Sequence, residues 1–266
     1  MTRPPLKKED LVFRRLLKPD DKFRFSCHKG LKCFTDCCRK VDLFLTPYDI
    51  LRMKNGLGFS SEEFLSKYTG YVIGDWGLPV VFLKMGDDEE HSCPFVSESG
   101  CEIYEDRPWS CRSFPLKPEI SKKTDATGKE FYSLINEPKC LGYHEDKEWT
   151  VKEWKKDQGV DIYNEMEALF KEIAQSESVV GDKIVNEDIR RMFYMACYDL
   201  DRFKRFVFES KFLDVFDIGK KDLKKIKKDE VELLKFAFKW VKFGFVDQGA
   251  LKIKDSVLQA QKDESK

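Results

Sequence analysis

Hydrophobic and polar positions change their rhythm along the chain. Residues 1–22 alternate basic and acidic side chains and read as a charged lead-in, and residues 23–40 carry no clear period, which predicts loop with one extended turn. A helix is predicted after Thr46, which caps it. Pro47 suits the first helical position, Asp49 favours the positive helix end, and Ile50, Leu51 and Met53 supply the apolar side. Gly56 and Gly58 stop that helix. A second short one starts at Ser60, with Glu63 completing a capping box and Phe64, Leu65 and Tyr68 as its apolar positions. Residues 71–83 are β-prone, with a turn at Gly74 and Gly77 and a strand over 79–84. The acidic stretch 86–92 is a connector, and residues 93–116, dense in Pro, Gly and Cys, predict mostly turns. Residues 130–135 form a second strand candidate, and Pro138 and Gly142 hold Cys140 in loop.

Beyond about residue 145 the spacing becomes helical. Thr150 and Glu153 form another capping box, and Val151, Trp154, Val160, Tyr163, Met166, Leu169, Phe170 and Ile173 supply apolar positions, with a break near Gly159. Residues 187–216 form one long amphipathic pattern, and a further helix is predicted over 231–245. The last 15 residues or so are polar and predict frayed chain. The expected fold is α+β, mainly α: an irregular Cys-rich half with short strands, then a helical half. The domain expectation is a cysteine-cluster region at 23–145, a helical region at 146–250 packed on it, and tails at 1–22 and 251–266.

Composition narrows the class. Forty-one per cent apolar residues, with 22 Phe, 9 Tyr and 5 Trp, exclude a disordered chain despite 36% charged residues. Lys+Arg 48 against Asp+Glu 48 leaves no net charge, which argues against a nucleic-acid partner. The best apolar run, Leu78–Leu83, is far shorter than a membrane span, and the charged N-terminus has no signal-peptide core. The expectation is a soluble cytoplasmic protein with no membrane partner.

Cysteine changes the picture most. Eight of the 9 Cys lie between Cys27 and Cys140, and the ninth, Cys197, stands alone in a helical, apolar setting that predicts packing. Clustered thiols in a reducing compartment bind metal or do redox chemistry more often than they form disulfides. The first group is Cys27, Cys33, Cys37 and Cys38; the second is Cys93, Cys101, Cys111 and Cys140. Four plus four is the arithmetic of two four-thiolate sites, or of one cluster with spare thiols. Cys33 and Cys37, with three residues between them, can turn back onto one metal, whereas adjacent Cys37 and Cys38 point to opposite sides in extended chain and suit two metals or a multi-metal cluster. Backbone N–H groups in Pro- and Gly-held loops can donate to the sulfurs. Arg107 and Arg112, with Lys32 and Arg39, stand near the thiols and are expected to compensate their charge and that of a bound cofactor.

These residues resemble a known family. The clustered N-terminal cysteines ending in Cys37–Cys38, then Cys93-Pro94-Phe95, then Gly100-Cys101, Ile103-Tyr104, Arg107-Pro108, Cys111-Arg112 and Phe114-Pro115, resemble the YkgJ-type cysteine-cluster family, described as zinc- or iron-chelating proteins. The resemblance covers roughly residues 25–145, with the first cysteines spaced more widely than is usual there. It implies an iron–sulfur cluster or Zn2+ as cofactor, with an electron-transfer, carrier or structural role. A similar module occurs in flagellin lysine N-methylases, which implies as the alternative a metal-cluster-dependent protein-modifying enzyme; a protein partner is compatible with either. The adjacent pair and the eight-thiol count lean toward iron–sulfur.

Other candidates are weaker. His28, His91 and His144 neighbour the cysteines and are poorer ligand candidates than eight thiols. The basic run 220–228 contains Asp222 and precedes acidic residues, which predicts a solvated helix side. Phosphate loops, Ser-His-Asp sets and HExxH strings are absent from the sequence.

Overall fold

A computed structural model describes residues 15–119, 130–174 and 186–264; the first 14 residues of the charged lead-in lie outside it. The fold is mainly α, 50% helical and 16% strand, with short strands in the N-terminal half and helices in the C-terminal half.

Strand β1 (Lys22–Arg24) and the two-residue β2 (Phe44–Leu45) precede helix α1 (Pro47–Leu57). The Thr46 hydroxyl accepts the Asp49 N–H at 3.1 Å while the Asp49 carboxylate accepts the Thr46 N–H at 2.7 Å. Gly58, at φ 71, ends the helix, as only a residue without Cβ does freely. Ser60 and Glu63 cap α2 (Ser61–Tyr68) in the same reciprocal way. Next come β3 (Thr69–Ile73) and β4 (Pro79–Leu83), joined by the turn at Gly74–Gly77.

The segment predicted as turns carries a minimal hairpin, β5 (Val96–Ser97) with β6 (Gly100–Cys101), and the five-residue α3 (Trp109–Ser113). Strands β7 (Leu116–Glu119), β8 (Phe131–Leu134) and β9 (Glu148–Thr150) follow. Helices α4 (Val151–Asp157) and α5 (Val160–Ala174) are separated at Gly159, whose φ of 60 breaks the run as its sequence position predicts.

The pattern over 187–216 is not one helix but three: α6 (Glu187–Cys197), α7 (Leu200–Glu209) and α8 (Phe212–Val215). Polar side chains make the breaks. Asp199 caps α7 by accepting the Arg202 N–H, and the Ser210 hydroxyl donates back to the Phe206 carbonyl at 2.6 Å while accepting the Phe212 N–H. Helix α9 (Lys220–Lys228) exposes its lysines around buried Ile226, and α10 (Glu230–Phe245) follows. Asp255–Glu264 forms helix α11 where polar composition predicted frayed chain. Among the described residues, no helix is long and apolar enough to cross a membrane.

The chain divides into two compact units. The first comprises the described residues through Val41 and those of Met85–Ile162; the second comprises Asp42–Lys84 and the described residues from Tyr163 onward. In the first, β1 pairs antiparallel with β9 and β7 with β8. Phe23, Leu116, Tyr132 and Leu134 from these strands, with Phe25 just after β1 and Val151 and Trp154 on α4, form its core together with Leu17, which exchanges backbone hydrogen bonds with Tyr132. Phe25 meets Trp154 edge-on at 5.5 Å.

In the second unit, β4 lies between β2 and β3 in an antiparallel sheet. Helix α10 packs against α1, α6, α7 and α9, and α2 packs against α7. The buried Lys54 ammonium ties four helices: it reaches Glu230 at 2.9 Å and Asp201 at 3.5 Å, and Asp201 in turn accepts the Ser61 N–H at 2.7 Å. Cys197 is buried in this unit, and burial pushes its thiol far up, which fits the packing role expected of it.

Candidate metal centre

All eight clustered cysteines lie in the first unit, and all are free thiols. The chain around the first group has almost no packing of its own: between Phe25 and Leu43 no residue is buried. Short turns hold it locally, from the Leu31 N–H to the His28 carbonyl through to the 3-10 turn Asp36–Cys38.

Two other segments close on this loop. At its far end the Cys93 N–H donates to the Cys38 carbonyl at 2.8 Å, and Arg39 bridges Ser92. A Cβ at Gly100 would stand 3.1 Å from the Phe34 ring, and φ there is +113, so glycine suits both the hairpin turn and the close approach. At its near end the Ser26 N–H donates to the Gly142 carbonyl at 3.1 Å, and the Leu141 N–H donates to the Cys33 sulfur at 3.2 Å. A Cβ at Gly142 would lie 2.7 Å from the Phe25 ring and 2.8 Å from the Ser26 carbonyl, closer than real Cβ contacts come. His28 braces the same end: its Nδ1 accepts the Gly30 N–H, and its Nε2 lies 3.1 Å from a Glu145 oxygen.

Two neighbourhoods of sulfur result. Cys27 lies within electrostatic range of Cys33, Cys37 and Cys140, and Cys33 and Cys140 are hydrogen-bonded. Cys38 lies within range of Cys93 and Cys111, and Cys93 of Cys101. Cys37 borders both, hydrogen-bonded to Cys38 and close enough to Cys27, Cys93, Cys101 and Cys140 to raise each of their pKa values when ionised. Among the described residues no three Cys, His, Asp or Glu side chains stand gathered as a finished ligand set, so these are neighbourhoods and not coordination spheres.

The electrostatics follow from crowding thiols together. Cys27 reaches the surface, yet protein covers its other sides, and that desolvation with its sulfur neighbours pushes it up to about 11. The hydrogen bond between Cys37 and Cys38 drives the pKa values of the two thiols apart. The hydrogen bond from Cys38 brings Cys37 down to about 7, while Cys38 itself is driven far up by donating that bond, then by burial and the neighbouring thiolates. Burial also raises Cys93, Cys101 and Cys140. In each case an amide two residues on offsets part of the rise by donating to the sulfur: Phe95 to Cys93, Ile103 to Cys101, Gly142 to Cys140. With Leu141 on Cys33, four backbone N–H groups point at sulfur, the donor pattern that stabilises anionic, metal-binding thiolate.

Arg107 and Arg112 are buried, not surface charges. The Arg107 guanidinium stacks 3.7 Å above the Tyr104 ring, donates to the Tyr104 carbonyl and to Gln158 Oε1, and feels the charges of Cys101 and Cys111. Burial lowers its pKa, but a guanidinium stays charged through such a shift. Arg112 donates to the carbonyls of Arg107 (3.2 Å), Glu105 (2.8 Å) and Gln158. Arg107 is thus the cation beside the thiols, and Arg112 is the clamp that holds its loop. Arg39 adds a weaker positive influence on Cys37.

Residues 26–141 match the sequence model of the CxxCxxCC family, described as a "putative zinc- or iron-chelating domain". This segment is similar to that domain family over less than half of the chain. Its first cysteines depart from the spacing in that name, with five residues between Cys27 and Cys33 and three between Cys33 and Cys37, before the adjacent Cys37–Cys38. No curated protein and no solved structure matches the chain.

The CxxCxxCC match stops before Gln158, which sequence reading passed over. Its side chain and its carbonyl each seat one of the two guanidinium groups, and only its position before Gly159, at the end of α4, hinted at a constrained backbone. Arg112→Lys is expected to cost about 3 kcal/mol, because an ammonium cannot span the three carbonyls and leaves buried acceptors unmet. Thermal unfolding followed at Trp154 checks this; an unchanged midpoint would show that the clamp carries no stability.

Proposed function

We propose that the protein holds two metal centres, with Cys27, Cys33, Cys37 and Cys140 as ligands of one and Cys38, Cys93, Cys101 and Cys111 as ligands of the other. The observation that carries this reading is the position of Cys37 and Cys38: Cys38 lies with Cys93 and Cys111 while Cys37 borders both neighbourhoods, which lets the adjacent residues serve two separate sets. The donor chemistry fits the group. Soft, free thiols are what zinc and iron–sulfur clusters both take, and the N–H donors and Arg107 offset the negative charge that four thiolates bring.

Iron–sulfur is the favoured cofactor. It supplies one-electron chemistry when bound, whereas zinc in four thiolates supplies a closed cross-link. Exposed Cys27, Cys37 and Cys111 suit a centre that exchanges electrons or metal with a partner protein over one sealed inside a core. The amides of Leu141 and Gly142 at the first set, and Arg107 with the amides of Phe95 and Ile103 at the second, would set the potentials of the two centres by stabilising the more negative state.

Anaerobic purification with iron, zinc and acid-labile sulfide analysis tests the cofactor. Brown protein with iron and sulfide in equal amounts is the expected result; colourless protein with zinc alone would reject the iron–sulfur reading.

A further inference from the structure

Strand β3 is an outer strand of the β2-β4-β3 sheet, and its edge away from β4 pairs with no strand among the described residues. Large apolar side chains remain exposed on this sheet and its turn: Phe44 at 56%, Tyr71 at 57%, Val72 at 49%, Ile73 at 45% and Trp76 at 42%. Natural edge strands are usually blunted by lysine, proline or a bulge. Thr69–Ile73 contains neither residue and no charge at all, so the edge is open to pairing.

The hydrogen bonds to β4 decide which backbone groups face outward. The Gly74 N–H donates to the Leu78 carbonyl at 2.9 Å, and the Lys84 N–H donates to the Tyr68 carbonyl at 2.8 Å. Even-numbered residues of the strand therefore bond to β4, and Thr69, Tyr71 and Ile73 turn their N–H and C=O groups to the open edge. The Thr69 N–H is already taken by the Leu65 carbonyl at the end of α2. The N–H groups of Tyr71 and Ile73 and the carbonyls of Thr69 and Tyr71 are left to a newcomer.

Charge at the two ends of the strand selects that newcomer's direction. Lys67 stands exposed before the strand and Asp75 exposed after it, and neither makes an ion pair among the described residues. An identical strand laid antiparallel brings each lysine end to an aspartate end, whereas a parallel one sets like charges together.

We propose that this edge pairs antiparallel with the same edge of a second copy of the chain, about a two-fold axis at Tyr71. Tyr71 then lies opposite its own counterpart and Thr69 opposite Ile73, the register that matches the outward-facing groups at the most positions. The Tyr71 pair exchanges both of its hydrogen bonds, and each Ile73 N–H donates to the opposing Thr69 carbonyl. The result is one continuous sheet in the order β2-β4-β3-β3-β4-β2, with an isologous interface that closes on itself. A single strand pairing is small among protein interfaces, so the dimer separates on dilution.

Size-exclusion chromatography with light scattering over a dilution series tests this. Wild-type protein is expected to shift from dimer to monomer as it is diluted. Tyr71→Pro removes an N–H that the monomer does not use, a substitution edge strands accept, and is expected to be monomeric throughout with unchanged far-ultraviolet circular dichroism. Asp75→Lys is expected to weaken the dimer roughly tenfold, counting two exposed pairs, and the added Lys67→Glu change to restore it. Wild-type protein that stays monomeric at every concentration overturns the proposal. So does a folded Tyr71→Pro protein that dimerises as well as wild type, or an Asp75→Lys protein whose association is unaltered.

Discussion

Cys37→Ser is expected to remove about half of the bound metal or more, because under the proposed assignment one of two four-thiolate sets loses a ligand outright. The loss extends toward the second set, since the sulfur of Cys37 is the hydrogen-bond partner of Cys38 and borders Cys93 and Cys101. A hydroxyl at this position does not match thiolate as a soft ligand. Cys197→Ser, buried on α6 in the other unit, is expected to leave metal content unchanged and to register only as a stability loss from burying a hydroxyl among apolar neighbours. Metal analysis of the two purified variants beside wild type separates these effects. Equal metal in wild type and Cys37→Ser would count against the ligand assignment.

Chelation is expected to loosen the two cysteine loops by on the order of 5 kcal/mol while sparing the rest of the fold. The reason lies in the distribution of burial. Between Phe25 and Leu43 no side chain is buried, so the first loop is held by its turns, a few hydrogen bonds to the segments that close on it and its sulfur neighbours, without an apolar core. The first unit nevertheless owns an apolar core around Phe25, Tyr132, Val151 and Trp154 that includes no thiol of the first loop. Amide hydrogen exchange is therefore expected to accelerate over residues 27–38 and 93–111 after metal removal, with Trp149 and Trp154 emission and the helical signal retained. Cooperative unfolding of the whole chain, or exchange that does not change at all, would contradict this division of labour.

Which features could be read from the sequence follows from how local their causes are. The capping boxes at Thr46, Ser60 and Thr150 involve residues three apart, so the chain reports them directly, and the structure places a helix after each. The break at Gly159 is equally local. The division of residues 187–216 was hidden because the apolar spacing persists across it, while Asp199 starts a new helix and Ser210 closes one through side-chain hydrogen bonds. At the site, the cysteines announce themselves by type and spacing, but their grouping does not. Cys140 joins Cys27 and Cys33 through the Leu141 N–H, which donates to Cys33, and the Gly142 carbonyl, which accepts the Ser26 N–H, a partnership across more than a hundred residues. The two arginines were legible as charge beside thiols; that they are buried and seated on Gln158 depends on where α4 ends in space.

X-ray absorption at the metal edge of protein purified without oxygen examines the ligand claim most directly. Metal bound by sulfur alone, with zinc–sulfur distances near about 2.3 Å if zinc is the ion, is the expected spectrum. A shell dominated by nitrogen or oxygen would mean that the sulfurs converging on Cys37 and Cys38 are not what holds the metal.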